Sequence, residues 1–373
     1  VALRGKQFAV VLERTAFYPT GGGQMHDLGL LDGAPVMDVL EEGARVVHVM
    51  ARAPQGETVS GEVDWARRFD LMQQHTGQHI LSQAFYSLCG AETISVHMGE
   101  AMCTLDVPVH LTSAQVTRAE ELANQIAQEN RPVRAAFVSN DELARLPLRK
   151  PPGAYEKIRI VEVADFDWSA CGGTHLRATG EVGLIKTIRV ERRGKESRIE
   201  FLCGMRALRD YRWKNQAVVE LALGFSVKDS DLAATVQKLA DEAKETRRQL
   251  NFFKERALEQ EAQALYQDAG LRDGVRIVIR AFVDRSMDEV RKLALALRAM
   301  PSCVVLFALG GEKSNFIFAR SDDATHDMAA LLKETLTSIG GRGGGQPEMA
   351  QGGGPAAPNI EALLAQAADR LKT

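Results

Sequence analysis

The first sixty residues alternate apolar and polar positions in short runs. FAVVLERTAF, LGLLDG, PVMDVLEE and ARVVHVM are separated by turn signals such as Asp32-Gly33 and Glu42-Gly43. Period-two alternation broken by Gly and Asp predicts short strands and a small all-β unit, read as a barrel. The period then changes. Leu71, Ile80, Ala84, Phe85 and Leu88 predict a helix from Asp70 to Leu88, entered through DWARRFD and left at Gly90. ISVHMGEAMCTLDV reads as a β-hairpin. SAQVTRAEELANQIAQEN reads as an amphipathic helix with Val116, Ala119, Leu122, Ala123 and Ile126 inward. RPVRAAFVS is strand-like and leads through DELARL into the Pro-rich LRKPPGAY. IRIVEVADFDW predicts one strand running straight into CGGTH. Two more strands in GLIKTIRVERRGKESRIEFLCG close an α/β domain near Gly204.

Residues 205 to 224 carry one helical pattern and residues 230 to 268 a second, with a break at Gly224. In the second, Leu232, Val236, Leu239, Ala243, Thr246, Leu250, Phe253 and Ala257 follow a 4-3-4-3 spacing, the seam of a coiled coil. The seam pairs either with the preceding helix or with another copy of the chain. Beyond Asp273-Gly274, VRIVIRAF, a helix from Met287 to Met300, CVVLFAL, NFIFAR and a helix from Met328 to Ile339 predict a compact α/β unit. It ends in GGRGGGQPEMAQGGG and a final helix from Ile360. That tract is either a flexible linker or a nest of backbone N–H groups for phosphate or sugar. The expected fold class is α+β and multidomain. It comprises a β-barrel over 1–62, an α/β domain over 63–204, a helical hairpin over 205–270 and a glycine-rich α/β domain over 271–373.

Composition narrows this reading in three ways. A chain of 373 residues exceeds one ordinary core. With 45% hydrophobic and 25% charged residues and no apolar run of transmembrane length, a soluble protein is expected. VALRGKQFAV has no signal-peptide pattern, and the five cysteines, Cys89, Cys103, Cys171, Cys203 and Cys303, form an odd, unpatterned set. Both point to a reducing cytoplasm. The net charge of −3 leaves nucleic-acid binding to local patches.

The candidate chemistry lies in two distant motifs, HTGQH (His75 to His79) and CGGTH (Cys171 to His175). On a helix, positions i and i+4 share a face, so His75 and His79 present two imidazoles to one point. Gly172 and Gly173 permit a backbone tight enough for Cys171 and His175 to aim at a common atom. One thiolate and three imidazoles suit a single tetrahedral Zn2+. The plain alternative is a pair of surface histidines and an unrelated buried cysteine. Upstream, Gly21, Gly22 and Gly23 in FYPTGGGQ form either a flexible hairpin loop or a wall where ligand and backbone meet closely, with Gln24 supplying an amide.

FYPTGGGQMHDLG, VDWARRFDLMQQHTGQHILS, SVHMGE and ACGGTH, in this order, resemble the editing domain of alanyl-tRNA synthetase and more closely the alanyl-tRNA editing proteins of the AlaX family, in their long form. The final glycine-rich tract resembles the synthetase C-terminal domain. The class II active-site sequences of the activation domain are not found. The resemblance implies hydrolysis of the ester joining serine, and perhaps glycine, to the alanine tRNA. The chemistry is coherent, because an apolar activation pocket rejects an added hydroxyl weakly and a second hydrolytic site supplies the missing discrimination. By the resemblance, His75, His79, Cys171 and His175 carry over as zinc ligands, and Gly21, Gly22, Gly23 and Gln24 as pocket wall.

Four protein ligands are more than the three usual for catalytic zinc, so the metal either activates water or only positions substrate. Gln24, Gln78, Glu100 and Asp167, with His97, are candidates for orienting ligands or water. Arg189, Arg192, Arg193 and Lys195, in a run with Arg198, are candidate tRNA contacts. Such a run also occurs as solvated surface. Phe17, Tyr18 or Trp168 could stack the acceptor end. A homodimer through the C-terminal region is a further expectation. The rival reading is a non-catalytic, zinc-stabilised tRNA-binding protein.

Overall fold

The computed structural model describes residues 2–4, 7–150 and 158–371; the PPGAY part of LRKPPGAY lies outside them. The chain divides into two compact units, residues 1–229 and 230–373.

The first unit opens with β1 (Ala2–Arg4), β2 (Gln7–Val11), β3 (Gly29–Leu31), β4 (Ala34–Glu42), β5 (Arg45–Met50) and β6 (Gly61–Val63). They form an antiparallel sheet in the order β1-β2-β5-β4-β3-β6. Val10, Leu31, Val36, Val39 and Met50 alternate inward onto Phe17 as its core. No ladder joins β1 to β6 among the described residues. Among the described residues the strands are therefore seen as a six-stranded sheet, and the expected barrel closure is not shown.

Helix α1 (Trp65–Cys89) follows. Asp64 caps its start by accepting from the Arg67 N–H, and Gly90 ends it in the left-handed region. Its buried face is unusual in carrying a polar run: Gln73, Gln74, His75, Thr76, Gln78 and His79 are all buried with Leu71, Ile80, Leu81 and Phe85. Burying Leu81 and Phe85 contributes roughly 1.5–3 kcal/mol each. The polar groups between them must find partners. Gln74 does so against a strand end, accepting from the Cys203 N–H at 2.8 Å and donating to the Cys203 carbonyl at 3.1 Å.

Around α1 stand β7 (Ser95–Met98), β8 (Cys103–Val107), α2 (Ser113–Gln128), β9 (Val133–Val138), α3 (Asn140–Leu143), β10 (Ile158–Val163), β11 (Asp167–Ala170), β12 (Ile185–Arg193), β13 (Glu196–Cys203) and α4 (Gly204–Phe225). The strands make a sheet in the order β12-β13-β8-β7 and a second in the order β11-β10-β9. Thr112 closes a capping box with Gln115 at the start of α2. The single strand expected over IRIVEVADFDW is instead a hairpin: Asp165 adopts φ +55° and reverses the chain between β10 and β11. An apolar period of two does not reveal a turn when the turn residues are themselves Ala, Asp and Phe.

The second unit holds α5 (Leu232–Asp268), β14 (Gly270–Arg272), β15 (Val275–Phe282), α6 (Met287–Arg298), β16 (Cys303–Leu309), β17 (Lys313–Arg320), α7 (Met328–Thr337), β18 (Arg342–Gln346), β19 (Met349–Pro355) and α8 (Ile360–Asp369). The sheet runs β14-β15-β16-β17-β19-β18. CVVLFAL is continuously apolar because both faces of β16 are covered. Val304, Leu306 and Ala308 face α7 and α8, while Cys303, Val305 and Phe307 face α6 and Ala262 near the end of α5. The seam residues Val236, Leu239, Leu250 and Phe253 are exposed. The glycine tract is neither linker nor nest. β18 and β19 pair in register, and Gly343 opposite Gly352 lets Leu336 of α7 press where a Cβ on either would stand.

Candidate functional site

The loop between β2 and β3 carries FYPTGGGQMHD, and its neck is closed by Asp27. The wholly buried Asp27 carboxylate accepts from the Tyr18 N–H at 2.6 Å, and its own N–H donates to the Tyr18 carbonyl at 3.0 Å. Arg68 of α1 pairs with the same carboxylate, its Nε 2.7 Å from Oδ1. The loop is thus latched to the helix that carries HTGQH. Its tip lies against β7. Gly23 has φ +83°, its carbonyl accepts from the Met98 N–H at 2.9 Å, and a Cβ there would stand 2.7 Å from the Val96 carbonyl oxygen.

Behind that tip the two motifs meet. One donor atom from each of His75, His79, Cys171 and His175 lies within 4.8 Å of all the others. Cys171 Sγ is 3.3 Å from His75 Nε2 and 3.3 Å from His175 Nε2. Sulfur and nitrogen ligands on a tetrahedral zinc are separated by about 3.6 Å, given bonds of about 2.3 and 2.1 Å. Each imidazole is oriented through its other nitrogen. His75 Nδ1 lies 2.8 Å from Gln24 Oε1, His79 Nδ1 lies 3.2 Å from Asp167 Oδ2, and His175 Nδ1 lies 3.2 Å from Thr76 Oγ1. An oxygen acceptor at each Nδ1 fixes the proton there and turns each Nε2 lone pair to the common centre. Donor set, spacing and supporting contacts all fit a zinc ion.

The electrostatics agree. Burial opposes the Cys171 thiolate, but hydrogen bonds from His175, His75 and His79 outweigh it and bring the thiol down to about 2. Burial also lowers His79, yet Asp167 and Cys171 raise it to about 9. Burial dominates at His75, which is lowered, and at His175, which falls to about 3 with the neighbouring His75 adding to it. Without metal the cluster is a thiolate beside one imidazolium, and a bound cation takes the place of that proton.

The second motif is shaped by clamps. Arg159 of β10 donates to the carbonyls of Cys171 at 2.7 Å and Gly173 at 2.9 Å. Gln24 accepts from the Thr174 N–H at 3.1 Å and donates to Thr174 Oγ1 at 2.8 Å. Gly173 has no room for a side chain: a Cβ would stand 2.1 Å from His75 Cε1. The helix makes the same allowance at Gly77, where a Cβ would meet Cys203 Sγ at 2.3 Å.

His75, His79 and Cys171 of the cluster line a cavity of about 680 Å³ together with Tyr18, Gly21, Gly22, Gln78, Arg149 and Ser169. The remaining sequence candidates are placed as follows. Gln78 lines the cavity, its Nε2 donating to Ser82 at 2.7 Å. Asp167 is buried behind His79. Glu100 is exposed, paired with Arg67 at 3.3 Å, and does not line the cavity. Arg189, Arg192 and Arg193 lie on β12, with Lys195 in the turn after it. That strand is the opposite edge of the sheet from β7, whose Ser95 and Val96 line the cavity. Three strand spacings, about 14 Å, lie between the two edges. Sequence reasoning missed Thr76, Thr174 and Arg159, and it weighed Arg149 only as part of a basic run with Arg145 and Lys150 that could meet tRNA. The two threonines were visible as motif members, but nothing in a spacing says which neighbour they support.

Comparison with known proteins agrees with this layout. Residues 158–200 match the threonyl and alanyl tRNA synthetase second additional domain, residues 274–373 the DHHA1 domain, and residues 1–67 the class II (A) tRNA synthetases. The alanyl-tRNA editing protein AlaX-L of Pyrococcus horikoshii is 33% identical over 392 residues, covering 98% of this chain and 92% of that protein. The chain belongs to the AlaX-type alanyl-tRNA editing proteins. Alanine–tRNA ligases share the same stretch. That of Methanoregula boonei is 32% identical over 381 residues, covering 97% of this AlaX-type chain and 40% of the ligase. That of Pyrobaculum neutrophilum is 34% identical, covering 92% and 40%. The chain therefore spans about two fifths of those ligases.

Proposed function

We propose that this chain is a zinc-dependent deacylase that hydrolyses the ester of serine, and of glycine, wrongly attached to the alanine tRNA. The reading is carried by the cluster of Cys171 with three Nδ1-anchored histidines, of which His75 and His79 line an open cavity together with Cys171. Zinc bound there supplies positive charge that polarises an ester carbonyl or a water. The chain's own groups do the rest. The glycine loop gives the acceptor end a wall without side chains, and Tyr18 beside it offers an aromatic face. Gln78 commits its Nε2 to Ser82, and its Oε1 makes no hydrogen bond among the described residues, leaving an acceptor to orient a water. Gln24, Thr76 and Asp167 hold the imidazoles still while the ester is bound. Arg189, Arg192 and Lys195, on and beside the far sheet edge, suit phosphates further along the tRNA.

A second reading, a zinc-stabilised tRNA-binding protein without catalysis, is favoured by one observation: all four donors are protein side chains, as in closed structural sites. One experiment separates the two. Seryl-, glycyl- and alanyl-tRNA are incubated with the zinc-loaded chain, with and without chelator, and with Cys171→Ala checked for fold by circular dichroism. Chelator-sensitive release of serine that is lost in Cys171→Ala is expected. Undiminished deacylation by that variant refutes the zinc-centred mechanism, and no deacylation by the loaded wild type leaves the structural reading.

A further inference from the structure

One carboxylate in the cavity wall has no partner. Glu41, near the end of β4, lines the cavity together with Tyr18, Gly21 and Cys171. It is exposed, and its side chain makes no hydrogen bond or ion pair among the described residues. It stands over the glycine loop. A Cβ on Gly21 would lie 3.9 Å from Glu41 Oε2 and 3.7 Å from Tyr18 Oη. Carboxylate and hydroxyl thus flank the space that the missing Gly21 side chain leaves open. Tyr18 donates its proton to the Gly21 carbonyl at 3.2 Å, and its oxygen keeps lone pairs with which to accept. Burial, with the negative charges of Cys171 and Glu41, pushes Tyr18 up to about 12 against the opposing charge of Arg159, so the hydroxyl stays neutral. The thiolate of the metal cluster and the Glu41 carboxylate therefore act on the same hydroxyl.

The chemistry of this corner selects its occupant. Two acceptors, one of them anionic, suit a cation that carries N–H donors. An aminoacyl ester has one such group, the α-ammonium, a single carbon away from the ester carbonyl. A partner for it has to stand close to the metal cluster, and Glu41 is tied to that cluster through Tyr18. Seryl and glycyl esters share the ammonium, so one acceptor pair serves both. The basic residues of the wall, Arg149 and Lys150, repel an ammonium, and Arg149 is already engaged by Ser169 and Asp167.

We propose that Glu41 and the Tyr18 hydroxyl receive the α-ammonium of the esterified amino acid, and that Glu41 is a specificity-determining residue which directs hydrolysis to esters with a free amine. The inference rests on the deacylase reading above. It concerns what serine and glycine have in common and leaves their discrimination from alanine to other groups. Esters whose amine is acylated, as at the end of a growing peptide, lose the charge that Glu41 reads and become poor substrates.

The test compares kcat/KM of the zinc-loaded wild type and Glu41→Ala on three substrates. These are seryl-tRNA, glycyl-tRNA, and the seryl analogue in which a hydroxyl replaces the α-ammonium, alike in size and without the charge. Glu41→Ala is expected to lower the seryl and glycyl values at least about 10-fold, the loss of one hydrogen bond to a charged group, and to leave the hydroxy analogue within about twofold. Glu41→Gln keeps the shape of the side chain and must lower the same two values while sparing the analogue. Glu92→Gln removes the other carboxylate of the wall and is expected to lower none of the three. A common fall on all three substrates, or no fall with either Glu41 variant, overturns the proposal. So does a selective fall in Glu92→Gln alone. Metal content and thermal unfolding establish that each variant is folded and loaded. A wild type that hydrolyses neither aminoacyl ester refutes the deacylase reading itself, which is a different result from Glu41 variants that keep wild-type values.

Discussion

Gly172 and Gly173 sit side by side in the second motif, and alanine at each has opposite consequences. At Gly172 a Cβ meets nothing within 4 Å. At Gly173 it would stand 2.1 Å from His75 Cε1, 2.5 Å from Nδ1 and 3.0 Å from Gln24 Oε1. Carbon atoms rest about 3.5 Å apart, so the imidazole must retreat by roughly 1.4 Å. Ligand distances at a bound metal tolerate only about 0.2 Å. Gly173→Ala therefore removes His75 as a ligand, where disturbing a mere supporting contact already costs about 10–100-fold in affinity. The loss expected is more than about 100-fold, with about 1–3 kcal/mol of overpacking in the metal-free protein. Zinc competition against a chromophoric chelator measures the affinity, and plasma emission measures metal per chain. Gly172→Ala is expected to match the wild type. Wild-type affinity in Gly173→Ala, or equal losses in both variants, refutes the packing argument.

Two further outcomes follow from other contacts in the first unit. Gln24→Ala removes the acceptor at His75 Nδ1 and both bonds to Thr174, so zinc affinity should fall about 10–100-fold in the same competition assay; a change under about twofold contradicts that support. Asp106 is held below the usual carboxylate range by the Arg198 guanidinium, which bonds both its oxygens at 2.7 Å, with Ser95 adding a third bond. A depressed carboxyl stabilises the folded state fully above its unfolded value of about 3.9 and loses that contribution as pH falls through its lower folded value. The stability gap between wild type and Asp106→Asn in urea should then shrink below about pH 4, and a gap constant from pH 7 to 3 is inconsistent with the pairing.

The sequence was most legible where one chemical constraint acts over a fixed spacing. His75 and His79 lie four apart on one helix, and the helix brings their ligand atoms together with those of Cys171 and His175. The unbroken apolar run of β16 and the cap at Gly90 are equally local. What was not legible depends on pairing at a distance. Nothing near Gln24 says that its amide meets His75 and Thr174, and nothing near Arg149 says that it lies against Asp167. Glu100 sits close to a motif in sequence and points to Arg67 on the surface. The glycine tract lacks side chains to pattern, so its pairing as β18 and β19 is written only in the shape of Leu336 against it.

Cys171 and His75 are 96 residues apart along the chain. Bringing such distant points together in an unfolded chain costs about 4 kcal/mol of loop-closure entropy. The helical pair His75 and His79 can catch a metal ion early, but only as a weak two-donor chelate. The complete donor set exists once α1 and the turn after β11 have docked. Metal capture is therefore a late event that reports tertiary assembly, and zinc release should track global unfolding rather than fraying of either motif. An ion held this way also acts as a removable cross-link: at a free concentration 100 times its dissociation constant it adds about 2.7 kcal/mol to the stability of the first unit. On the zinc-dependent reading proposed above, zinc supply then sets the stability of the first unit as well as its hydrolysis.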